Sequence, residues 1–283
     1  MSKRGPSKRR GNEGQRGRGK PKPESGGRSH GRQAVSSYDK YIVCGINVLN
    51  QLMATAPERF IELHLLEDLG HQRQQRLRID PQNLDVPVNY CDAETLLRLT
   101  GTENHQGVAA QVKPSKMLDD NEALELLAAA TNPIILILDS IQDPRNFGAC
   151  LRTAESAGVT LVVVPRSRSV EMTPTVSKVA SGAAETQKIA GVTNLARFMR
   201  ELQELGIRMV GTDGDSDGSI FAQDMTGPIA LVMGAEGSGM RRLTREHCDF
   251  RVNLPMLGTV ESLNLSVATG ICLYEILRQR GAG

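Results

Sequence analysis

"PIILILDSIQDPRNFGACLRTAESAG" (residues 133–158) decides the fold. Its first part, Ile134 to Leu138, is an unbroken apolar run that ends at Asp139. A strand with one wet face alternates apolar and polar residues. An unbroken run fits a strand covered on both faces, as in a parallel sheet between helices. The second part opens a helix. Phe147, Cys150, Leu151, Ala154 and Ala157 recur at helical spacing and are expected to face the sheet. Arg145, Arg152 and Ser156 fall near one another on a different face. Downstream, "LVVVP" (161–165), "IRMVGT" (207–212) and "IALVMG" (229–234) read as further strands, with helical stretches at 146–157, 173–182 and 194–205 between them. Strand–helix alternation at this spacing predicts an α/β domain with a parallel sheet.

Upstream the texture differs. "GINVLNQLMATAPERF" (45–60) contains an amphipathic helix, "FIELHLLED" (60–68) alternates like a strand, and "QRQQRLRI" (72–79) is a basic helix. "VPVNYC" (86–91) and "HQGVAAQV" (105–112) read as strands around "DAETLLRLTG" (92–101), a helix with an Asp cap and a Gly stop. The expected organisation is a tail over 1–38, a small α/β domain over 39–113, a linker with one short helix over 114–132, and a larger α/β domain over 133–283.

The net charge of +2 conceals a division. Residues 1–32 hold eleven Lys/Arg and two Glu, leaving 23 basic against 30 acidic residues elsewhere. The tail has almost nothing to bury and is expected to be a disordered arm. It would attract RNA non-specifically through counterion release, or serve only solubility. Five widely spaced Cys (44, 91, 150, 248, 272) form no zinc-like cluster and suggest a reducing compartment. No apolar run is long enough to span a membrane, and the charged N-terminus is unlike a signal peptide. The expectation is a cytoplasmic protein without a metal.

Ligands bind parallel sheets at the carboxyl ends of strands. Two polar stretches sit there, "DSIQDPRNFG" (139–148) and "GAEGSGM" (234–240). Arg145 and Arg152 suit phosphate recognition, or line a solvated helix face. The glycines of "GAEGSG" do not follow the dinucleotide spacing but allow close approach of a ligand, and Glu236 between them is unexplained by a plain turn. "DGDSDGSIFAQD" (213–224) imitates a calcium loop at Asp213, Asp215, Asp217, Gly218 and Asp224. It lacks the flanking helix pair, so an acidic turn is expected. No His lies in the strand-end motifs and no P-loop occurs, which argues against hydrolase and kinase readings.

Three stretches taken together carry a resemblance. "NFGACLRTAESAG" (146–158), "LVMGAEGSGM" (231–240) and "LPMLGTVESLNLSVATG" (254–270) resemble motifs 1, 2 and 3 of the SpoU/TrmH ribose methyltransferases, of the SPOUT superfamily. Residues 45–110 are similar to that family's L30e-like RNA-recognition domain. The resemblance implies a C-terminal trefoil knot. It implies S-adenosylmethionine as cofactor, with Gly234, Leu254 and Leu263 contacting it largely through backbone. It places Asn146, Arg152, Glu236, Ser262 and Asn264 at the family's polar active-site positions. It further implies a homodimer, motif 1 of one subunit completing the other's site, and 2′-O-methylation of a guanosine in 23S rRNA or a pre-50S particle. A tRNA target and a non-catalytic RNA-binding protein are the alternatives. One departure is Glu261, a carboxylate beside Ser262.

With no His in the motifs, Arg152 and Glu236 are the candidates to act on the ribose hydroxyl. A guanidinium normally keeps its proton in proteins. The more economical role for Arg152 is therefore gripping a phosphate and stabilising the developing alkoxide. The last helix is expected to start at a Ser262 N-cap, with Asn264 in its first turn.

Overall fold

The computed structural model describes residues 40–80, 85–167 and 172–281. The basic tail lies outside them. Two sheets organise the described chain.

The first sheet is built from β1 (Tyr41–Cys44), β2 (Phe60–Leu66), β3 (Val88–Cys91) and β4 (Val108–Val112), in the order β1-β4-β2-β3. β4 runs antiparallel to β1 and β2, whereas β2 and β3 are parallel. The lead-in before the first helix is thus itself a strand. α1 (Ile46–Thr55) lays Ile46, Leu49 and Leu52 on this sheet. α2 (His71–Arg76) is the basic helix, and it buries none of its own residues. α3 (Ala93–Thr100) is capped as expected: the Thr95 amide donates to Asp92, and Gly101 closes the helix at φ 62°.

The second sheet holds six parallel strands: β5 (Ile134–Leu138), β6 (Leu161–Pro165), β7 (Ile189–Val192), β8 (Arg208–Thr212), β9 (Ile229–Met233) and β10 (Phe250–Val252). Their order is β10-β8-β9-β5-β6-β7. The four strands expected from apolar runs are present. β7 and β10, four and three residues long, were not expected.

Alternate residues of β5 enter two cores. Ile134, Leu136 and Leu138 meet α5 (Pro144–Ser156), α6 (Pro174–Ala180), α7 (Ala183–Thr186) and α10 (Leu265–Gln279). Ile135 and Ile137 meet α4 (Asp120–Ala128) and α8 (Leu195–Glu204) on the other face, and the short α9 (Arg242–Glu246) lies between β9 and β10 in the chain. Burial on both faces is the reason the run is unbroken.

From β5 the chain steps outward through β6 and β7. It then returns on the other side, where β9 comes to lie beside β5. The β5/β9 seam is therefore the switch point, where loops diverge and leave a crevice. Leu138 pairs with Met233 across it, and the Asp139 amide donates to the Met233 carbonyl at 2.8 Å. The two polar stretches that follow these strands are neighbours for this reason.

A buried carboxylate joins the two halves. The Tyr41 hydroxyl of β1 donates to Glu185 of α7 at 2.7 Å, Ser177 donates to the same oxygen at 3.1 Å, and Arg59 reaches its other oxygen at 2.5 Å.

Candidate active site

Sharp turning of the chain after β9 shapes the site. Gly234 is followed by a small hairpin in which Ala235 and Gly239 exchange both amide–carbonyl bonds, at 3.0 and 2.9 Å. Gly237 and Gly239 take φ of 76° and 66°, which suits glycine. A methyl group on Gly234 would fall on the Gly239 carbonyl carbon and the Met240 amide nitrogen, and 2.7 Å from the Gly239 oxygen. Gly234 is thus required by closure of the hairpin itself. The hairpin tip aims Glu236 at the start of α10.

Glu236 Oε1 accepts two hydrogen bonds there, from the Leu265 amide at 3.1 Å and from Asn264 Nδ2 at 2.9 Å. A carboxylate at a helix N-terminus is favoured by the unpaired amides and the helix dipole. Asn264, not Ser262, is the N-cap. Its Oδ1 accepts from the Ser266 amide at 3.0 Å, the Ser266 hydroxyl at 2.6 Å and the Val267 amide at 3.4 Å. The expected cap was two residues early.

Asn264 Nδ2 also donates to Asn146 Oδ1 at 3.0 Å. These bonds fix both amide orientations. Glu236 is acceptor-only when ionised and demands the Asn264 NH₂, while helix amides demand its oxygen. Asn264 therefore offers Asn146 a proton, and Asn146 must answer with oxygen. The Asn146 NH₂ is left over, with no partner among the described residues. Asn146 and Glu236 border a cleft of about 290 Å³ that Ser140, Gln142, Asp143 and Ser238 also line. Asn146 itself is buried, so its free donor belongs to the cleft.

Asp139, at the end of β5, is sealed behind the cleft. It accepts from Arg241 through the backbone amide at 3.0 Å and Nε at 2.6 Å. The sequence singled out neither residue for this pair; together they pin the exit of the glycine hairpin to β5.

Asn146, Glu236 and Asn264 are thus brought together, and Arg152 and Ser262 are not. Arg152 lies about 120° around α5 from Asn146. Its side chain is exposed and donates to Ser181 at 3.3 Å. Ser262 is exposed in the segment before α10. Leu254 and Leu263 are half-buried in that same segment, and Leu254 packs on the core. Among the described residues, none pairs with the backbone of residues 254–263. Free main-chain donors and acceptors beside leucine side chains suit a ligand with both polar edges and flat apolar faces.

The described thiols are poorly suited to nucleophilic chemistry. Burial pushes the Cys150, Cys248 and Cys272 thiols up to about 12, and it also raises Cys44 and Cys91. Thiolates, the reactive form, are thereby suppressed. Among the described residues no group of His, Cys, Asp and Glu is placed to hold a metal ion. In the acidic turn, Asp213 faces Arg245 and Arg251, and Asp224 accepts from Thr226.

Replacing Glu236 with Gln tests the relay. The neutral group still accepts but loses the charge-assisted share, about 1–1.5 kcal/mol. A drop of roughly tenfold in kcat/KM is the expected result, from steady-state rates. An unchanged value would remove Glu236 from the site.

Comparison with known proteins agrees with the geometry. The profile of the SpoU rRNA Methylase family matches residues 133–274. That of the RNA 2'-O ribose methyltransferase substrate binding family matches residues 42–118. The 23S rRNA (guanosine-2'-O-)-methyltransferase RlmB of Haemophilus influenzae is 48% identical over 239 residues, 84% of this chain and 97% of that protein. The enzyme of the same name from Vibrio vulnificus is 49% identical over 238 residues, with 84% and 96% covered. Among solved structures, the SpoU methyltransferase AviRb of Streptomyces viridochromogenes, in complex with AdoMet, superposes with a TM-score of 0.70. It is 22% identical, with 87% of this chain and 92% of that chain covered, and shares the fold. A switch-point cleft with an Asn–Asn–Glu relay thus stands in a chain nearly half identical to full-length ribose methyltransferases, and the chain belongs to the SpoU rRNA methylase family.

Proposed function

We propose that this protein is an S-adenosylmethionine-dependent enzyme that methylates the ribose 2′-hydroxyl of a guanosine in 23S rRNA. The observation that carries this reading is the relay that leaves the Asn146 NH₂ aimed into the switch-point cleft. S-adenosylmethionine supplies a methyl group activated by its sulfonium charge. Gly234, Leu254 and Leu263 are the residues to hold it, because the backbone of 254–263 is free, the leucines offer an apolar wall and Gly234 lets the chain turn sharply beside them. Asn146 orients polar groups beside the acceptor. Ser262 contributes a hydroxyl from the adjacent segment. Arg152 grips an RNA phosphate and stabilises the charge that develops on the ribose oxygen.

Arg152 does not meet the relay of its own chain, since it lies about 120° around α5 from Asn146. A second copy completes the site in our reading. α10 supports this with an exposed apolar stripe: Val267, Ile271 and Tyr274 are 51%, 38% and 54% exposed at spacings of four and three residues. A homodimer that covers this stripe brings each α5 to its partner. The same reading includes residues 39–113 as the RNA-binding domain, 114–132 as linker and 133–283 as a knotted catalytic domain. It also includes a basic tail that adds RNA affinity, free rRNA or a pre-50S particle as substrate, and a cytoplasmic setting. Among the described residues no helix is long and apolar enough to cross a membrane.

The test is transfer of a labelled methyl group from S-adenosylmethionine to 23S rRNA that lacks the modification, followed by nucleoside analysis. One 2′-O-methylguanosine per rRNA is expected. Label found only in tRNA, or on a base, would overturn the reading.

A further inference from the structure

A second polar groove lies apart from the relay, on the first sheet's helices. It measures about 730 Å³ and runs between α1 and the segment of α2 that continues to Arg78. Asn47, Asn50, Gln51, Met53 and Ala54 of α1 line one side, and Gln75, Arg76 and Arg78 the other. It shares no residue with the cleft at Asn146.

Three features mark this groove as built rather than incidental. First, Asn50 clamps the basic segment: its Nδ2 donates to the Arg76 carbonyl at 2.8 Å, and its Oδ1 accepts from the Arg78 amide at 2.8 Å. One side chain thus sets the spacing of the arginines against α1. Second, α2 itself buries none of its residues; Leu77 and Ile79 just after it anchor the segment to the core and leave the basic helix facing outward. A six-residue helix is not stable by itself. Third, residues 71–79 carry His71, Arg73, Arg76 and Arg78 without a carboxylate, and α1 has no charged residue at all. Acidic residues flank the segment only at Glu67, Asp68 and Asp80. The 33–283 region is otherwise acidic, with 30 carboxylates against 23 basic residues, so a carboxylate-free groove stands out.

We propose that this groove and the adjoining face of α2 bind the phosphodiester backbone of the RNA substrate, with Arg76 and Arg78 of the groove lining and Arg73, exposed on α2 just outside it, on phosphates, and the α1 carboxamides on ribose or base edges. Guanidinium forks match phosphate oxygens in pairs. Phosphate contacts of this kind set register without reading sequence. An acidic peptide suits the groove less well, because it has no aromatic or large aliphatic pocket to anchor side chains. The inference rests on the rRNA reading above and adds where the RNA is held.

The experiment uses the full chain with R73Q, R76Q and R78Q combined. The Asn50 clamp bonds only backbone atoms of residues 76 and 78, so it survives these changes. Binding to a 23S rRNA fragment is followed as a function of salt. Removing one arginine–phosphate pair lowers the log–log salt slope by about 0.7–0.9. A slope smaller by roughly two and an affinity lower by at least about tenfold are expected, with cofactor affinity and melting temperature unchanged. Unchanged slope and affinity would overturn the proposal. Equal competition by polyglutamate and by RNA would overturn it in favour of a peptide site. If the unsubstituted chain binds rRNA yet transfers no methyl group, the functional reading fails while the slope still scores the groove.

Discussion

Arg152→Ala is expected to lower kcat about 10²–10³-fold while leaving the melting temperature unchanged. The side chain makes one exposed hydrogen bond, to Ser181 at 3.3 Å, so its own fold barely depends on it. Its proposed work is electrostatic: a fixed donor aimed at charge that appears only as the methyl group moves. Removing one such donor typically costs about 3–4 kcal/mol of barrier. Arg152→Lys separates charge from shape. Lysine keeps the charge but not the fork, so a large loss with RNA affinity retained argues for the bidentate geometry, and near-native turnover removes it. The cross-subunit arrangement has its own readout. A heterodimer of Arg152→Ala with Glu236→Gln assembles one site free of both changes if the sites are shared. Activity above that of either homodimer is expected. Absence of such recovery would place Arg152 with its own chain and overturn the shared site.

Much of this was legible in the sequence, and the parts that were not have common causes. β5, β6, β8 and β9 announce themselves because both faces are buried, which forces continuous apolar runs. β7, "IAGV", and β10, "FRV", are too short for any period to show, and β10 is an edge strand with two exposed residues. The cap of α10 was misplaced because Ser262 and Asn264 both have capping chemistry. What decides between them is Glu236, 28 residues away, which holds Asn264 in place. The relay depends equally on a bond from Asn264 to Asn146 across 118 residues, and no local spacing encodes that distance. The resemblance did group these residues, but not their roles. Glu236 emerges as the group that orients Asn264, and through it Asn146. Arg152 emerges about 120° around its helix from Asn146, so in our proposal its membership of the site depends on assembly.

Glu185 left no trace in the sequence. It lies in "AAETQK" (183–188), just past the helical stretch expected at 173–182, yet its side chain is fully buried and the paired Arg59 side chain nearly so. Arg59 also donates through Nε to the Lys113 carbonyl at 2.9 Å, and through its other end to the Tyr41 hydroxyl at 3.1 Å. Burial, reinforced by the Glu185 charge, raises the Tyr41 phenol well above its usual range. It therefore remains a donor at any working pH. Two bonds of this cluster cross between the first sheet and the helices of the second, Tyr41 to Glu185 and Arg59 to Glu185; the Ser177 bond joins α6 to α7. Glu185→Ala would leave a guanidinium buried without its counter-charge and two hydroxyls without an acceptor. Breaking a buried pair on one side costs about 3–5 kcal/mol. Chemical denaturation of the full chain is expected to show that loss. Glu185→Gln should cost less, since the amide oxygen still accepts. The double replacement Arg59→Met with Glu185→Leu distinguishes a stabilising contact from one kept for orientation. Buried pairs are often matched in stability by apolar residues of similar size. If the double variant recovers stability but keeps a raised KM for rRNA, the pair sets the angle between the first sheet, the proposed RNA-binding domain, and the switch-point cleft. Full recovery of both would leave Glu185 a packing residue with no part in presenting the substrate.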